Sequence, residues 1–105
     1  MLKKKLGTEA IERGWFCSEK LGNYFKIAST LIIPESVKEI GQYAFWCCDK
    51  LKEVEIPKSV EVIGYCSFYG CRQATIILKK YKKDFKYIGS YAFSGVKDVK
   101  KEIRN

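Results

Sequence analysis

Short apolar runs recur along the chain, and each is followed by a turn signal. The run at 31–33 is followed by Pro34, and the run at 54–56 is followed by Pro57. Apolar residues spaced by two predict short strands whose inward side chains feed one core. Because proline lacks an N–H, we expect each strand to end at its proline. The pattern therefore predicts a β-rich chain.

The two runs belong to a longer repeat. Residues 23 positions apart match over 31–74, as in three pairs: Ile40 with Ile63, Phe45 with Phe68, and Cys48 with Cys71. A third copy follows 25 residues later, at Ile88 and Phe93, and a degenerate copy lies 29 residues before the first, at Ile11 and Phe16. Such a period indicates stacked units, none of which can bury its apolar face alone. We therefore predict a solenoid.

Residues at equivalent positions of the copies predict two further features. The first set is Phe45, Phe68 and Phe93, which are placed to stack above one another as an aromatic ladder. The second set is Gly41, Gly64 and Gly89. Since glycine adopts positive φ without steric cost, we expect these glycines to supply turns of that conformation.

The residues at 33–51 read Ile-Pro-x-Ser-Val-x-x-Ile-Gly-x-x-Ala-Phe-x-x-Cys-x-x-Leu. This string resembles the BspA-like class of leucine-rich repeats, closely over 31–71, partially over 72–96 and poorly before residue 31. The resemblance implies a β-rich solenoid: a short leucine-rich-repeat stack of 23-residue units with a small parallel sheet and atypical capping ends. It also implies a role in adhesion or protein recognition, although a fold alone does not fix a function.

At 105 residues the chain is expected to form one domain. We assign 1–30 to an N-terminal cap and degenerate repeat, 31–93 to the repeats, and 94–105 to a C-terminal cap. In the last segment Val96, Val99 and Ile103 fall at helical spacing. Two alternatives remain open there: a short closing helix over 96–104, or a frayed last repeat.

The strand at 74–78 has an ambiguous register. The strict 23-residue step would turn Ala74, Ile77 and Lys79 inward. A slip of one residue reverses every side chain and buries Ile76 and Leu78 instead. We favour the slip, because alanine fills a leucine position badly and an inward lysine would be a buried charge.

The chain has five cysteines and no histidine. Stacked strands lie about 4.8 Å apart, whereas the Cβ atoms of a disulfide prefer about 3.8 Å. Cys48 and Cys71 are therefore predicted to be buried, reduced thiols. An odd cysteine count, and a basic start with no apolar run after it, favour the cytoplasm. A secreted or cell-surface location is the alternative if a leader has been removed.

The absence of histidine removes the Ser-His and Cys-His pairs of nucleophilic catalysis. The cysteines also lack the close paired spacing of zinc sites. We therefore predict no enzyme activity, no metal site and no cofactor.

Two surfaces are candidates for binding a protein. One is a set of aromatic residues at non-core repeat positions: Tyr43, Trp46, Tyr65, Tyr69 and Tyr91. Aromatic residues are enriched at binding hot spots, although the rings could instead pack on one another and stabilise neighbouring turns. The other surface is the outward sheet face, including Ile32, Glu53 and Glu55, which could equally be an ordinary solvated face. Terminal strands with unpaired edges also suggest a homodimer through the sheet edge or face.

The formal net charge is +8, and residues 79–105 contribute +6 of it. Four lysines in this segment are expected to be exposed and to offer a nucleic-acid or phosphate-binding alternative: Lys79, Lys80, Lys82 and Lys83. A solubilising edge is the simpler interpretation. Phe85, which matches Val60, is predicted to be buried.

The sequence therefore predicts a non-catalytic protein-binding module on a leucine-rich-repeat scaffold, with a partner whose identity the sequence does not give. Two other functions stay open. One is nucleic-acid or phosphate binding through the basic segment at 79–104. The other is a small intracellular inhibitor of a larger complex, of the kind that mobile elements encode.

Overall fold

The computed structural model describes residues 10–11, 30–49 and 51–103. Eight short strands follow one another along these residues: β1 Ala10–Ile11, β2 Thr30–Ile32, β3 Glu39–Ile40, β4 Glu53–Ile56, β5 Val62–Ile63, β6 Thr75–Leu78, β7 Tyr87–Ile88 and β8 Asp98–Lys101. A single 3₁₀ turn, Lys82–Asp84, is the only helical element in this part of the chain. The predicted N-terminal cap at 1–30 lies almost entirely outside the described residues.

Successive strands alternate between two parallel sheets. The first sheet has the order β1-β3-β5-β7 and the second has the order β2-β4-β6-β8. Each turn of the chain thus adds one strand to each sheet, which makes a β-solenoid and confirms the predicted fold class. The sequence predicted one small sheet. The additional sheet is β1-β3-β5-β7, and the sequence pattern did not reveal it because its strands in 39–88 are only two residues long.

The core lies between the two sheets and is filled by equivalent residues of successive turns. Ile40 pairs with Ile63 across β3 and β5, and both are fully buried. The predicted aromatic ladder is confirmed. The rings of Phe45 and Phe68 stack at 4.8 Å, and the ring of Phe93 lies 5.9 Å beyond Phe68.

The predicted slip in the third strand is also confirmed. Ile76 pairs with Val54 and Leu78 pairs with Ile56, so the step between these turns is 22 residues. Ile76 and Leu78 are fully buried, as expected. The side chain of Ile77 points to the outer face of the sheet, yet it is only 8% exposed. Other side chains on this face therefore cover it in part.

The expectation that the repeated glycines adopt positive φ is wrong. Two other positions of each turn have positive φ: one is occupied by Tyr43, Cys66 and Tyr91, and the other by Cys47, Gly70 and Gly95. Gly64 and Gly89 are needed for a different reason, namely that successive turns touch there. A Cβ on Gly64 would lie 2.7 Å from the backbone nitrogen of Gln42, and one on Gly89 would lie 2.5 Å from that of Tyr65.

At the C-terminal end, a strand replaces the alternative of a closing helix. Asp98–Lys101 pairs with β6, placing Val99 beside Ile76 and Lys101 beside Leu78. The exposed edge of β6 gains hydrogen bonds in this way, with the N–H of Glu102 donating to the carbonyl of Leu78 at 2.9 Å. Of the two alternatives, the last repeat is therefore the correct one.

The cysteines are only partly as predicted. Cys71 is buried and free, and its thiol donates to the carbonyl of Phe45 at 2.9 Å. Cys47 and Cys66 are free as well. Cys48, however, is disulfide-bonded. The prediction of a reduced Cys48 is therefore wrong, and an odd cysteine count no longer supports a reducing compartment.

Candidate binding surfaces

The turn that leads from the first sheet to the second carries most of the exposed aromatic residues. It begins after β3, β5 and β7, and in each copy its third residue has left-handed backbone, with φ of 57° at Tyr43, 54° at Cys66 and 60° at Tyr91. The alanine or serine and the phenylalanine that follow point inward and are buried in the first two turns. Of the residues that flank this inward pair, Tyr43, Trp46 and Tyr69 keep accessible side chains, whereas Cys66 is buried.

Four of these outer rings form a continuous row, here called the aromatic ridge: Trp46, Tyr43, Tyr65 and Tyr91. Tyr43 lies 6.4 Å from Trp46 and 5.5 Å from Tyr65 between ring centroids, in edge-to-face arrangement. Tyr65 meets Tyr91 at 6.2 Å in the same arrangement. Edge-to-face pairs are a favoured geometry for aromatic rings, so the sequence-predicted residues do support one another across three turns.

The ridge remains accessible despite these contacts. Tyr65 is 38% exposed and Tyr91 is 62% exposed. Tyr69, the fifth predicted residue, is also exposed but is not part of the row of ring contacts among the described residues. The pKa of the Tyr65 phenol is raised, first by its hydrogen bond with Cys66 and then by the nearby phenol of Tyr43. The hydroxyl therefore stays protonated and can both donate and accept hydrogen bonds.

Sequence reasoning missed two exposed aromatic residues. Tyr87 lies on the outer face of β7, beside the half-buried Val62 of β5. Tyr81 lies in the insertion before β7 and is exposed as well. The alternation of Tyr87 with Ile88 was a usable signal, because Ile88 was already assigned to the core.

The second predicted surface, the outer face of the second sheet, is less continuous. Ile32 is strongly exposed, whereas Glu53 and Glu55 are only half-exposed. Along one row of this face Ile32 is followed by Glu55 and then by the covered Ile77. The face therefore offers one isolated apolar side chain rather than an apolar patch.

The basic segment differs from its prediction at two lysines. Lys79 is half-buried between two carboxylates, with its Nζ 3.4 Å from Glu55 and in contact with Glu102. The pKa of Lys79 is raised, chiefly by the hydrogen bond with Glu102. Lys80 is also half-buried, because its Nζ donates to the carbonyl of Lys58 and lies 4.6 Å from the Phe85 ring centroid. The expectation that these two lysines are exposed is therefore wrong.

Lys82 and Lys83 are exposed as predicted, and Phe85 is buried. Both lysines nevertheless lie near aromatic rings. The Nζ of Lys82 is 6.0 Å from the ring centroid of Phe93, and that of Lys83 is 5.8 Å from that of Tyr81. The contact of Lys82 with Phe93 links the segment to the last turn of the solenoid, whereas that of Lys83 with Tyr81 lies within the segment.

The free thiols are expected to differ sharply in reactivity. Cys47 is exposed, whereas burial removes Cys71 from solvent and raises the pKa of its thiol to about 12. Because the thiolate is the reacting species, iodoacetamide at neutral pH should modify Cys71 at least about a hundredfold more slowly than Cys47. Peptide mapping by mass spectrometry after timed quenching measures both rates. In guanidinium the two rates should converge, and equal rates in the folded protein would contradict the buried position of Cys71.

A parallel β-solenoid with a stacked phenylalanine ladder and an outer row of aromatic residues is a repeat scaffold. Proteins of this class present extended surfaces that are built from successive repeats. The chain belongs to the BspA-type leucine-rich repeat family: the family model, described as a BspA type leucine rich repeat region of 6 copies, matches residues 10–103. Comparisons with curated proteins and with solved structures found no significant match. Among the residues that the structure describes, no helix is long and apolar enough to cross a membrane.

Proposed function

We propose that this chain is a non-catalytic protein-binding module and that its partner contacts the aromatic ridge. The supporting observation is the ridge itself, in which Trp46, Tyr43, Tyr65 and Tyr91 form an unbroken series of ring contacts. Scattered exposed apolar residues are common on proteins and need no explanation, but contiguous ones mark interaction sites. The membership in a leucine-rich-repeat family agrees with this role.

The packing of the ridge also suits binding energetically. Association has to overcome the loss of side-chain freedom at the interface. Rings that already support one another edge to face lose little further freedom. Each tyrosine also adds a hydroxyl at its exposed tip, so the ridge can combine apolar contact with hydrogen bonding. The ridge is thus a better candidate than the outer sheet face around Ile32, Glu53 and Glu55.

Substitution of the ridge should weaken partner binding. The wild-type chain is immobilised, proteins retained from source-cell lysate at high salt are identified, and the partner is purified for calorimetry. We expect Trp46→Ala and Tyr65→Ala each to weaken binding by more than about tenfold, as hot-spot residues do. Tyr81→Ala is the matched control, because Tyr81 and Trp46 are both 48% exposed and Tyr81 lies outside the ridge.

Three results would contradict the proposal. The first is wild-type affinity in both ridge variants. The second is an equal loss in the control. The third is capture that nuclease treatment abolishes, which would favour the nucleic-acid alternative through Lys82 and Lys83.

Ile32→Ala tests the outer sheet face in the same assay, and light scattering tests a homodimer through the sheet edge or face. A small intracellular inhibitor is a special case of the proposal, in which the partner is a larger complex.

A further inference from the structure

The three turns that carry the aromatic ridge contain no charged residue. These turns span residues 41–48, 64–71 and 89–96, whereas 30% of the whole chain is charged. Of the residues that directly follow the turns, Asp49 and Arg72 pair with each other at 3.6 Å, and Lys97 follows the third turn. A charged segment that covered the ridge would lose its hydration without meeting an opposite charge there. The ridge is therefore complementary to an uncharged segment.

The backbone of these turns has no N–H group left for a ligand. In the first turn, the N–H groups of Tyr43, Phe45 and Cys47 donate to the next turn at 3.0, 2.7 and 2.7 Å. The intervening N–H groups donate within the turn, up to that of Cys48. The second turn repeats both sets of bonds at 66–71. A partner segment therefore cannot add to this surface as a further strand and has to bind through side chains.

A segment that binds without backbone pairing must tolerate the burial of its own backbone. Proline lowers this cost, because it has no N–H to leave unpaired. A proline-rich segment in the polyproline II conformation makes no internal hydrogen bonds, so its carbonyl groups can accept from side chains. Tyrosine and tryptophan, the residues of the ridge, both carry side-chain donors. An α-helix, whose carbonyl groups are bonded within the helix, would make no use of them.

The spacing of the ridge matches that of a polyproline II helix. Tyr43 and Tyr91 occupy the same position of turns that are two steps apart, with φ of 57° and 60°. Because neighbouring strands lie about 4.8 Å apart, these two tyrosines are about 10 Å apart along the stack. Side chains on one face of a polyproline II helix recur about every 9.3 Å, at every third residue. On a β-strand they recur about every 6.7 Å, which does not match.

Tyr65 occupies the interval between these two tyrosines. Its ring centroid lies 5.5 Å from that of Tyr43 and 6.2 Å from that of Tyr91. The phenol of Tyr65 is thus placed opposite the residues that separate two successive contacts of a ligand. Trp46, 6.4 Å from Tyr43, adds a flat apolar face at one end of the row.

We infer that the segment bound by the aromatic ridge is uncharged, proline-rich and in the polyproline II conformation. Prolines three residues apart pack against Tyr43 and Tyr91, and the Tyr65 phenol donates to a carbonyl group between them. This inference rests on the proposed function, because it names the class of partner for the same ridge.

Titration of the ¹⁵N-labelled chain with a dodecapeptide of four Pro-Gln-Gln units, followed by NMR, tests the inference. Saturable shift changes are expected in the three ridge turns. Tyr65→Ala should weaken binding by more than about tenfold, and Tyr65→Phe, which removes only the hydroxyl, by about two- to tenfold. Tyr81→Phe is the matched control, because it removes the same hydroxyl from an exposed tyrosine outside the ridge, and it should leave the affinity unchanged. Circular dichroism establishes that every variant is folded.

A second dodecapeptide, of three Pro-Gln-Gln-Gln units, tests the spacing. Its prolines fall on different faces of the polyproline II helix, so it should bind about fivefold more weakly or worse. Equal affinity of the two peptides would overturn the inference. Wild-type affinity in Tyr65→Ala would do the same, as would tighter binding of an uncharged helical peptide of alanine, leucine and glutamine.

The partner purified from lysate separates this inference from the proposed function. Competition between that partner and the first peptide is the expected result. If Trp46→Ala and Tyr65→Ala weaken binding of the partner but the peptide neither binds nor competes, the ridge is the binding surface and the proline-rich class is wrong. If the partner binds both variants as tightly as the wild-type chain, the proposed function itself is wrong.

Discussion

Replacing Phe68 by alanine is expected to lower the free energy of unfolding by about 3–5 kcal/mol. Phe68 is the middle ring of the ladder, stacked on Phe45 at 4.8 Å and on Phe93 at 5.9 Å, and it is fully buried. Its removal leaves a cavity between two turns, which the rigid backbone bonds on either side prevent from closing. A loss of this size is a large part of the stability of an ordinary domain.

Urea unfolding followed by circular dichroism measures the effect of Phe68→Ala. Two variants serve as controls. Phe68→Leu keeps most of the volume and should cost only about 1 kcal/mol. Phe93→Ala removes a half-exposed ring with one stacking partner, so its cost should be clearly smaller than that of Phe68→Ala. Equal costs for the two alanine variants would show that stacking within the ladder does not determine the stability.

Adding one methyl group at Gly64 is the second change with a large expected effect. The Cβ of Gly64→Ala would lie 2.7 Å from the backbone nitrogen of Gln42 and 2.8 Å from the carbonyl carbon of Gly41. Both contacts are with backbone, which cannot rotate away as a side chain can. The turns must separate, and this stretches the 2.7 Å bond from the Gly64 N–H to the Ile40 carbonyl. We expect a loss of about 3 kcal/mol.

Thermal and urea unfolding of Gly64→Ala test this expectation. Gln73→Ala is a suitable control, because Gln73 is exposed and the substitution adds no atom. In a helix or strand, alanine in place of glycine usually stabilises the chain. A neutral or stabilising effect at Gly64 would mean that the close approach of the turns is not tight.

The prediction from sequence was most accurate where it depended on apolar spacing. The period placed the phenylalanine ladder, and the argument against an inward Lys79 gave the correct register of β6. The interpretation of the glycines failed because a glycine allows both positive φ and close backbone contact, and sequence does not distinguish the two. Tyr43 and Cys66 adopt positive φ instead, and their N–H groups donate to the next turn.

The candidate site was harder to predict. Repeat position showed that five aromatic residues avoid the core, but only coordinates could show that four of them touch and that Tyr69 stands apart. The lysines show the opposite problem. Lys79 and Lys80 have the composition of a phosphate-binding segment, yet Glu55, Glu102 and the ring of Phe85 already engage them. The two carboxylates that engage Lys79 lie 23 and 24 positions away, in neighbouring turns, so local composition cannot reveal them.

Contacts between turns are strictly limited in range. Side-chain hydrogen bonds between described turns join residues from 22 positions apart, as for Ser59 and Val37, to 26 positions apart, as for Cys71 and Phe45. Each turn thus interacts only with its immediate neighbours. Duplication or deletion of one whole unit in a gene would leave the contacts of the remaining units intact. It would also lengthen or shorten the aromatic ridge by a fixed increment, so the size of this binding surface can evolve separately from its chemistry.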